Sequence, residues 1–203
     1  MATNAEGNNP LHSSRLEYRA AESPQDDTFF LSLSKDIKAY MNSNITNATI
    51  PSSKDAKKYQ EHVMNKCLLG VVICLPCDTT TNTTNNNEST SKPIGAIHLS
   101  KLPENQSHHR STEIGIEILQ EYQGRGYGSE AIQWIMDWAF ERLGLHRVQV
   151  RAFGWNTRAI ELYKRLGFKE EGRWREALWH EGKWWDDVQL SILEDEWKHG
   201  GRR

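Results

Sequence analysis

The chain has 203 residues, 37% of them hydrophobic, and 14 glycines. With glycine counted this lies near the lower edge of the globular range of about 45–50% apolar. A chain of this length suits one domain that buries roughly 70% of its unfolded surface, with no need of metal or disulfide. Charge is close to balanced, 25 Lys and Arg against 27 Asp and Glu for a net of −2, so the basic excess of a nucleic-acid binder is absent. No apolar run reaches the roughly 18 residues of a membrane span, and no basic segment followed by an apolar stretch opens the chain. The expectation is a cytoplasmic protein with neither membrane nor nucleic acid as partner. Cys67, Cys74 and Cys77 contain one Cys-x-x-Cys pair, at 74 and 77. A zinc ribbon needs a second pair, and a thioredoxin-type pair would open a helix, whereas here Pro76 sits inside the pair and a polar tract follows. No metal or redox site is expected.

Residues 1–14 read as a disordered leader, 15–197 as a single domain and 198–203 as a tail. A first strand is expected at 15–21. Ser23-Pro24-Gln25-Asp26 reads as a helix start, with Ser23 as N-cap and Pro24 in the first helical position. Phe29, Phe30, Leu33, Ile37, Tyr40 and Met41 then recur as one helical face. A second helix is expected after Ser52 or Ser53, burying Ala56, Tyr59, Val63 and Cys67. The continuous apolar run 68–75 predicts a buried strand. The tract DTTTNTTNNNESTS at 78–91 is low in complexity and reads as the loop to a strand at 94–102.

The second half begins with 112–119, where Ile114, Ile116 and Ile118 alternate with Glu113, Gly115 and Glu117, a strand with two unlike faces. A glycine-rich turn follows, then a helix to about Leu143 with a stripe of Tyr127, Ala131, Ile135, Met136, Phe140 and Leu143. Trp134 and Trp138 on that helix read as packing, and His108 and His109 before the strand as solvated loop. Further strands are expected at 145–152, 168–178 and 184–193, the last two joined by a turn at Glu181-Gly182. A short helix runs from Asn156 to Leu166 and is closed by Gly167 in the left-handed cap position. Hairpins around a single strand-helix-strand unit predict an α+β fold with a mixed, mostly antiparallel central sheet and flanking helices.

Gln123-Gly124-Arg125-Gly126-Tyr127-Gly128 lies between a strand and a helix, where backbone N–H groups converge on one spot with the positive helix end behind them. Glycine lets a phosphate approach that backbone. A phosphate-binding loop of the NTPase kind fails for want of Gly-Lys-Ser/Thr. Gly126 to Ala131 fits the dinucleotide pattern G-x-G-x-x-A literally. However, about six residues separate it from its strand, and no acid ends the next strand to hold a ribose. A pyrophosphate cradle for coenzyme A remains, beside the plain alternative of a tight turn.

Gln123-Gly124-Arg125-Gly126-Tyr127-Gly128-Ser129-Glu130-Ala131 resembles the Q/R-x-x-G-x-G/A acyl-CoA motif of the GNAT superfamily of N-acetyltransferases. Asn156-Thr157-Arg158-Ala159-Ile160-Glu161-Leu162-Tyr163-Lys164-Arg165-Leu166-Gly167-Phe168 is similar to the family's second motif. Glu171-Gly172-Arg173-Trp174-Arg175-Glu176-Ala177 and Gly182-Lys183-Trp184-Trp185-Asp186 resemble the hairpin of the branch that acetylates ribosomal-protein N-termini. The resemblance covers 113–197; residues 1–111 match only in element order.

It implies the acyl-CoA N-acyltransferase fold, acetyl-CoA as co-substrate without metal, and direct attack by an amine in a ternary complex. It further implies that backbone groups at Ile118 and Leu119 meet the pantetheine arm. Gln123 opens the cradle, and the amides of Gly124, Arg125, Gly126, Tyr127, Gly128 and Ser129 hold the pyrophosphate, with the Arg125 side chain either adding a charge or solvated.

Tyr163 is the candidate general acid for the departing thiolate. Asn156 stands two helical turns before it on the same helix edge. Packing for Tyr163 and an ordinary N-cap for Asn156 are the simpler readings. A lysine-like acceptor with a pKa near 10.4 costs roughly 4–5 kcal/mol to deprotonate at pH 7, an α-amine about 1. Glu117 is the candidate base, acting through a water, with Glu113 in reserve; solvated positions are the alternative for both. Asp186 falls among apolar neighbours in the alternation of the last strand, for which pairing with Arg173 or Arg175 is the structural explanation. Trp174, Trp179, Trp184 and Trp185 suit a cationic or sugar-like amine and equally a homodimer interface. The acceptor stays open among a polyamine, an amino sugar and a protein N-terminus. A non-catalytic acyl-CoA-binding module and a nucleotide-dependent oxidoreductase are the other classes.

Overall fold

The computed structural model describes residues 9–77 and 91–200. The first eight residues of the expected leader, the tract 78–91 except Ser91, and 201–203 lie outside the described residues. The strands are β1 (Glu17–Arg19), β2 (Cys67–Leu75), β3 (Lys92–Ser100), β4 (Ser111–Ile118), β5 (Arg147–Phe153), β6 (Lys169–His180) and β7 (Lys183–Leu193). They form one sheet in the order β1-β2-β3-β4-β5-β7-β6, antiparallel throughout except where β4 meets β5. The helices are α1 (Asp27–Lys35), α2 (Ile37–Ser43), α3 (Ser53–Glu61), α4 (Tyr127–Asp137), α5 (Thr157–Arg165) and α6 (Glu194–Gly200). This is the mixed, mostly antiparallel α+β architecture that the element order predicts. Among the described residues no helix is long and apolar enough to cross a membrane.

The apolar run of β2 is buried on both faces. Val71 and Ile73 join the core built with α4 and α5, while Val72 and Cys74 join a smaller one under α1 and α3. Two-sided burial is what a run without alternation encodes. The β6–β7 hairpin turns on Glu181 (φ 47°) and Gly182 (φ 80°), the pair of left-handed residues that a two-residue turn between twisted strands requires.

Several boundaries differ from the sequence reading. The first helix does not begin at Ser23. Its N-cap position is Asp26, and the Ser23–Pro24 bond is cis, so Pro24 is not its first residue. Asp26 is 1% exposed; its carboxylate accepts from both terminal nitrogens of Arg19 (2.6 and 2.8 Å) and from Glu22 N (2.9 Å). The expected single helix is two, because Asp36 stops α1 and its side chain accepts from Ala39 N (3.2 Å) as the N-cap of α2. A short carboxylate competes with the helix backbone in this way. Ile37 is left 40% exposed instead of lying on a common face. Ser52 and Asp55 form a capping box at α3, as the Ser52 start predicts. The chain then passes through a π-helical turn, His62–Lys66, so Cys67 opens β2 and does not belong to the helix. Gly70 permits this, since a Cβ there would lie 2.1 Å from the Val63 carbonyl oxygen.

A second π-helical turn, Trp138–Arg142, follows α4, and it rotates Leu143 out of the expected stripe to 37% exposure. Helix α6 runs through part of the expected tail and buries Trp197, whose Nε1 donates to Asp137 (2.9 Å). Residues 9–14 are packed: Trp134 Nε1 donates to the Pro10 carbonyl (2.8 Å), and the Trp134 ring stacks on Tyr18 at 3.8 Å. In β7 the buried carboxylate is Asp187, ion-paired with Arg151. Asp186 lies past the last β5–β7 register pair; it accepts from Glu176 N (3.1 Å) and stands 3.9 Å from Arg173. Trp174, Trp179 and Trp184 are exposed on the outer hairpin, whereas Trp185 packs edge-on against Trp155.

Asp26→Ala leaves the Arg19 guanidinium without its buried partner. Breaking such a pair costs about 3 kcal/mol, an expected loss that urea denaturation measures directly.

Candidate coenzyme and amine cleft

β4 and β5 pair only through Ser111↔Arg147, Thr112↔Val148 and Glu113↔Gln149. Beyond Glu113 they separate, although β4 continues to Ile118 and β5 to Phe153. The gap is a cleft of about 950 Å³ lined by both strands, the carboxyl end of α2, the glycine turn and the start of α5. On its other side β4 is paired with β3 from Ile114 to Ile118, and the Leu119 N–H donates to Ile94 O (3.0 Å). Backbone groups in an antiparallel strand alternate in direction, so those of Ile116 and Ile118 point into the gap. The Ile118 carbonyl accepts from Gln123 Nε2 (2.8 Å). Leu119, expected to serve beside Ile118, has its N–H on Ile94 and its carbonyl accepting from Tyr122 N (2.9 Å). The outward row therefore belongs to Ile116 and Ile118.

The glycine turn closes one end. Gly124 and Gly126 have φ of 80° and 86°, a region costly for any residue with a Cβ. Gly126 is also the N-cap of α4, and among the described residues no side chain caps that helix, which leaves its first amides open to an anion. Gly124, Gly126, Gly128 and Ser129 line the cleft. Arg125 is exposed, with its guanidinium 5.7 Å from the Tyr122 ring centroid, and Tyr127 carries the guanidinium of Arg15 at 4.9 Å; neither side chain lines the cleft.

Two arginines that the sequence reading passed over flank the turn. Arg158 Nη2 lies 2.8 Å from where a Gly124 Cβ would stand. Arg15 donates to the Arg125 carbonyl (2.9 Å) and, from Nε, to Glu130 (2.8 Å). Arg158 stands inside a motif already noted and was legible; nothing in the sequence links Arg15 to a turn more than a hundred residues away.

Helix α5 brings Asn156 and Tyr163 to the same cleft. Asn156 is the N-cap, its Oδ1 accepting from Ala159 N (3.2 Å), while its Nδ2 donates to the Asn42 carbonyl (3.4 Å). Tyr163 is 7% exposed, and burial pushes its phenol up to about 12, so the hydroxyl holds its proton at neutral pH. Glu117 and Glu113 line the same cleft. Burial raises the Glu117 carboxyl above the usual range, Asp36 reinforces this, and a hydrogen bond from Ser43 Oγ (2.9 Å) works against it. Glu113 is also raised by burial, with Arg151 opposing. The end of α2 spans the mouth, since Asn42 Oδ1 accepts from Trp155 Nε1 (3.1 Å) on one side and Ser43 holds Glu117 on the other.

The model of the acetyltransferase (GNAT) family matches residues 65–168, just over half of the chain. The chain belongs to the GNAT family. It is 34% identical over 101 residues to spermidine N(1)-acetyltransferase of Vibrio cholerae, across 50% of this chain and 58% of that protein. It is 34% identical over 85 residues to an uncharacterized N-acetyltransferase of Bacillus subtilis, across 42% and 50% respectively. The chain thus spans about half the length of the curated relatives it matches. Its fold superimposes on the V. cholerae spermidine N-acetyltransferase crystallised with CoA and spermine at a TM-score of 0.72, with 24% identity over 92% of this chain and 99% of that one. A GNAT acetyltransferase from Bacillus anthracis superimposes at 0.70, with 21% identity over 91% and 98%. At these identities the structural likeness is one of fold.

In this GNAT chain the raised Glu117 carboxyl has a sign that can be tested. A folded-state value above the unfolded one favours the neutral acid, so stability falls as pH rises through that interval. Glu117→Gln removes the titration and keeps an acceptor for Ser43. Melting temperatures are expected to match the parent near pH 4 and to exceed it near pH 8.

Proposed function

We propose that this GNAT protein transfers the acetyl group of acetyl-CoA to a primary amine, and that the acceptor is a small cationic amine of the polyamine class. The observation that carries the reading is the divergence of β4 from β5. It sets a backbone row without a strand partner, a helix start with no side-chain cap among the described residues, and two part-buried carboxylates around one cleft. The glycine turn fits the coenzyme's diphosphate, because Gly124 and Gly126 occupy conformations that side chains avoid and leave the amides accessible. Arg158 and Arg15 add positive charge beside it. The V. cholerae relative's name supports the acceptor class, as do the carboxylates of Glu113 and Glu117 in the cleft.

Bound acetyl-CoA supplies an activated thioester. The outward groups of Ile116 and Ile118 hold its amide-bearing arm along β4. Tyr163 keeps its proton at a phenol well above an ordinary thiol of about 8.5, so it serves the departing sulfur first as a hydrogen-bond donor. Glu117 receives the ammonium proton through a water, its raised carboxyl lying closer to the range a base needs near neutral pH.

A thiol-release assay with spermidine, an amino sugar and a ribosomal-protein N-terminal peptide tests the assignment. Release is expected with spermidine. Tight CoA binding with no release from any amine would reassign the chain as a coenzyme-binding module. Tyr163→Phe is expected to lower kcat about a hundredfold with KM for acetyl-CoA nearly unchanged. Gly126→Val should abolish CoA binding by calorimetry, because the left-handed backbone at φ 86° excludes a β-branched residue.

A further inference from the structure

His62, Cys67 and His98 come from three separate elements: the π-helical turn, the first residue of β2 and the middle of β3. One ligand atom from each lies within 4.8 Å of the other two. The cluster stands outside the cleft, whose lining includes none of the three. Two glycines make room for it. Gly70 lets the π-helical turn press on β2, because a Cβ there would meet the Val63 carbonyl oxygen at 2.1 Å. Gly115, opposite His98 in register, lets the His98 ring lie flat on β4, where a Cβ would stand 2.2 Å from its Cε1. The His62 and His98 rings meet edge to face at 4.9 Å, and the Tyr59 ring stands edge to face with His98 at 6.0 Å.

Aromatic packing alone does not account for the polar atoms. His98 Nδ1 and Tyr59 Oη are buried with no hydrogen-bond partner among the described residues, and their rings are 6.0 Å apart. Buried polar groups are otherwise satisfied as a rule. A cation bound by imidazole and thiolate supplies the missing partner for a histidine nitrogen, and a water in its open position can reach a phenol.

We propose that His62, Cys67 and His98 form a binding site for one borderline-soft divalent cation of the zinc class. Two nitrogens and one sulfur select such an ion over magnesium or calcium, which take oxygen ligands. Tetrahedral zinc places two nitrogens and one sulfur roughly 3.3 to 3.6 Å apart, so the part-exposed His62 closes the set by a small side-chain rotation. On binding, the Cys67 thiol proton passes to solvent as the sulfur–metal bond forms, and the fourth position is left to water. The ion pins the α3–β2 junction to β3, at the rim of the smaller core. Sequence motifs do not reveal the set, because the pair at Cys74 and Cys77 draws attention while Cys67 stands alone in the chain.

Cobalt titration of the chelator-treated full chain tests this without reference to acetyl transfer. A thiolate-to-cobalt charge-transfer band is expected in the near ultraviolet, saturating at one equivalent. It is expected to persist in Cys77→Ser and to vanish in Cys67→Ser with the circular dichroism unchanged. His62→Gln, at a part-exposed position, should weaken zinc by roughly tenfold or more in competition with a chromogenic chelator. Absence of the band from the parent, its survival in Cys67→Ser, or unchanged zinc affinity in His62→Gln overturns the proposal.

Discussion

Two neighbouring strands that stop pairing after three register positions are the constraint on which the rest of this molecule depends. β4 and β5 are parallel, and each is secured by an antiparallel partner on its far side, β4 by β3 and β5 by β7. Alongside the opening each strand therefore keeps one paired edge while its other edge is released. Backbone polar groups in the opening must find partners elsewhere, and the Gln123 side chain already takes one carbonyl, at Ile118. A cleft with an unsatisfied β-edge is a preformed recognition surface for an amide-bearing chain.

The divergence also explains why the glycine turn and α5 matter together. The turn links the end of β4 to α4, and α5 follows the end of β5, so the two splayed strand ends deliver the glycine turn and Tyr163 to one space. The closing element comes from far away in sequence. Asp36 breaks the first helical run and starts α2, whose end reaches Trp155 and Glu117. A helix stop that looks like a local propensity effect is thus what places Asn42 and Ser43 over the mouth.

Burial sets the electrostatics of the walls. Desolvation holds the Tyr163 phenol in its neutral form and displaces the Glu117 carboxyl upward from the usual carboxylate range. The positive charge gathers instead at the glycine turn, where Arg15 and Arg158 flank amides that need no lysine. A chain whose net charge is only −2 can gather positive potential at one place in this way, because the helix end contributes partial charge that composition does not record.

By itself the sequence determined whatever is carried by contiguous residues. It marked the burial of β2, the alternation of β4, the glycine turn, the Asn156 cap with Tyr163 two turns later, and the turn at Glu181-Gly182. Each follows from backbone conformation or periodicity, which act over a few residues. The tertiary structure decided everything that needs two distant segments to meet. It spent the backbone groups of Leu119 on Ile94 and Tyr122, put Arg15 against the glycine turn, and buried Asp187 where alternation pointed to Asp186. It also redirected Cys67 from a helix into a strand and set it beside His62 and His98. π-helical turns, strand register and the space left by Gly70 and Gly115 govern those outcomes, and they arise from close packing between elements, to which a pattern read along the chain is blind.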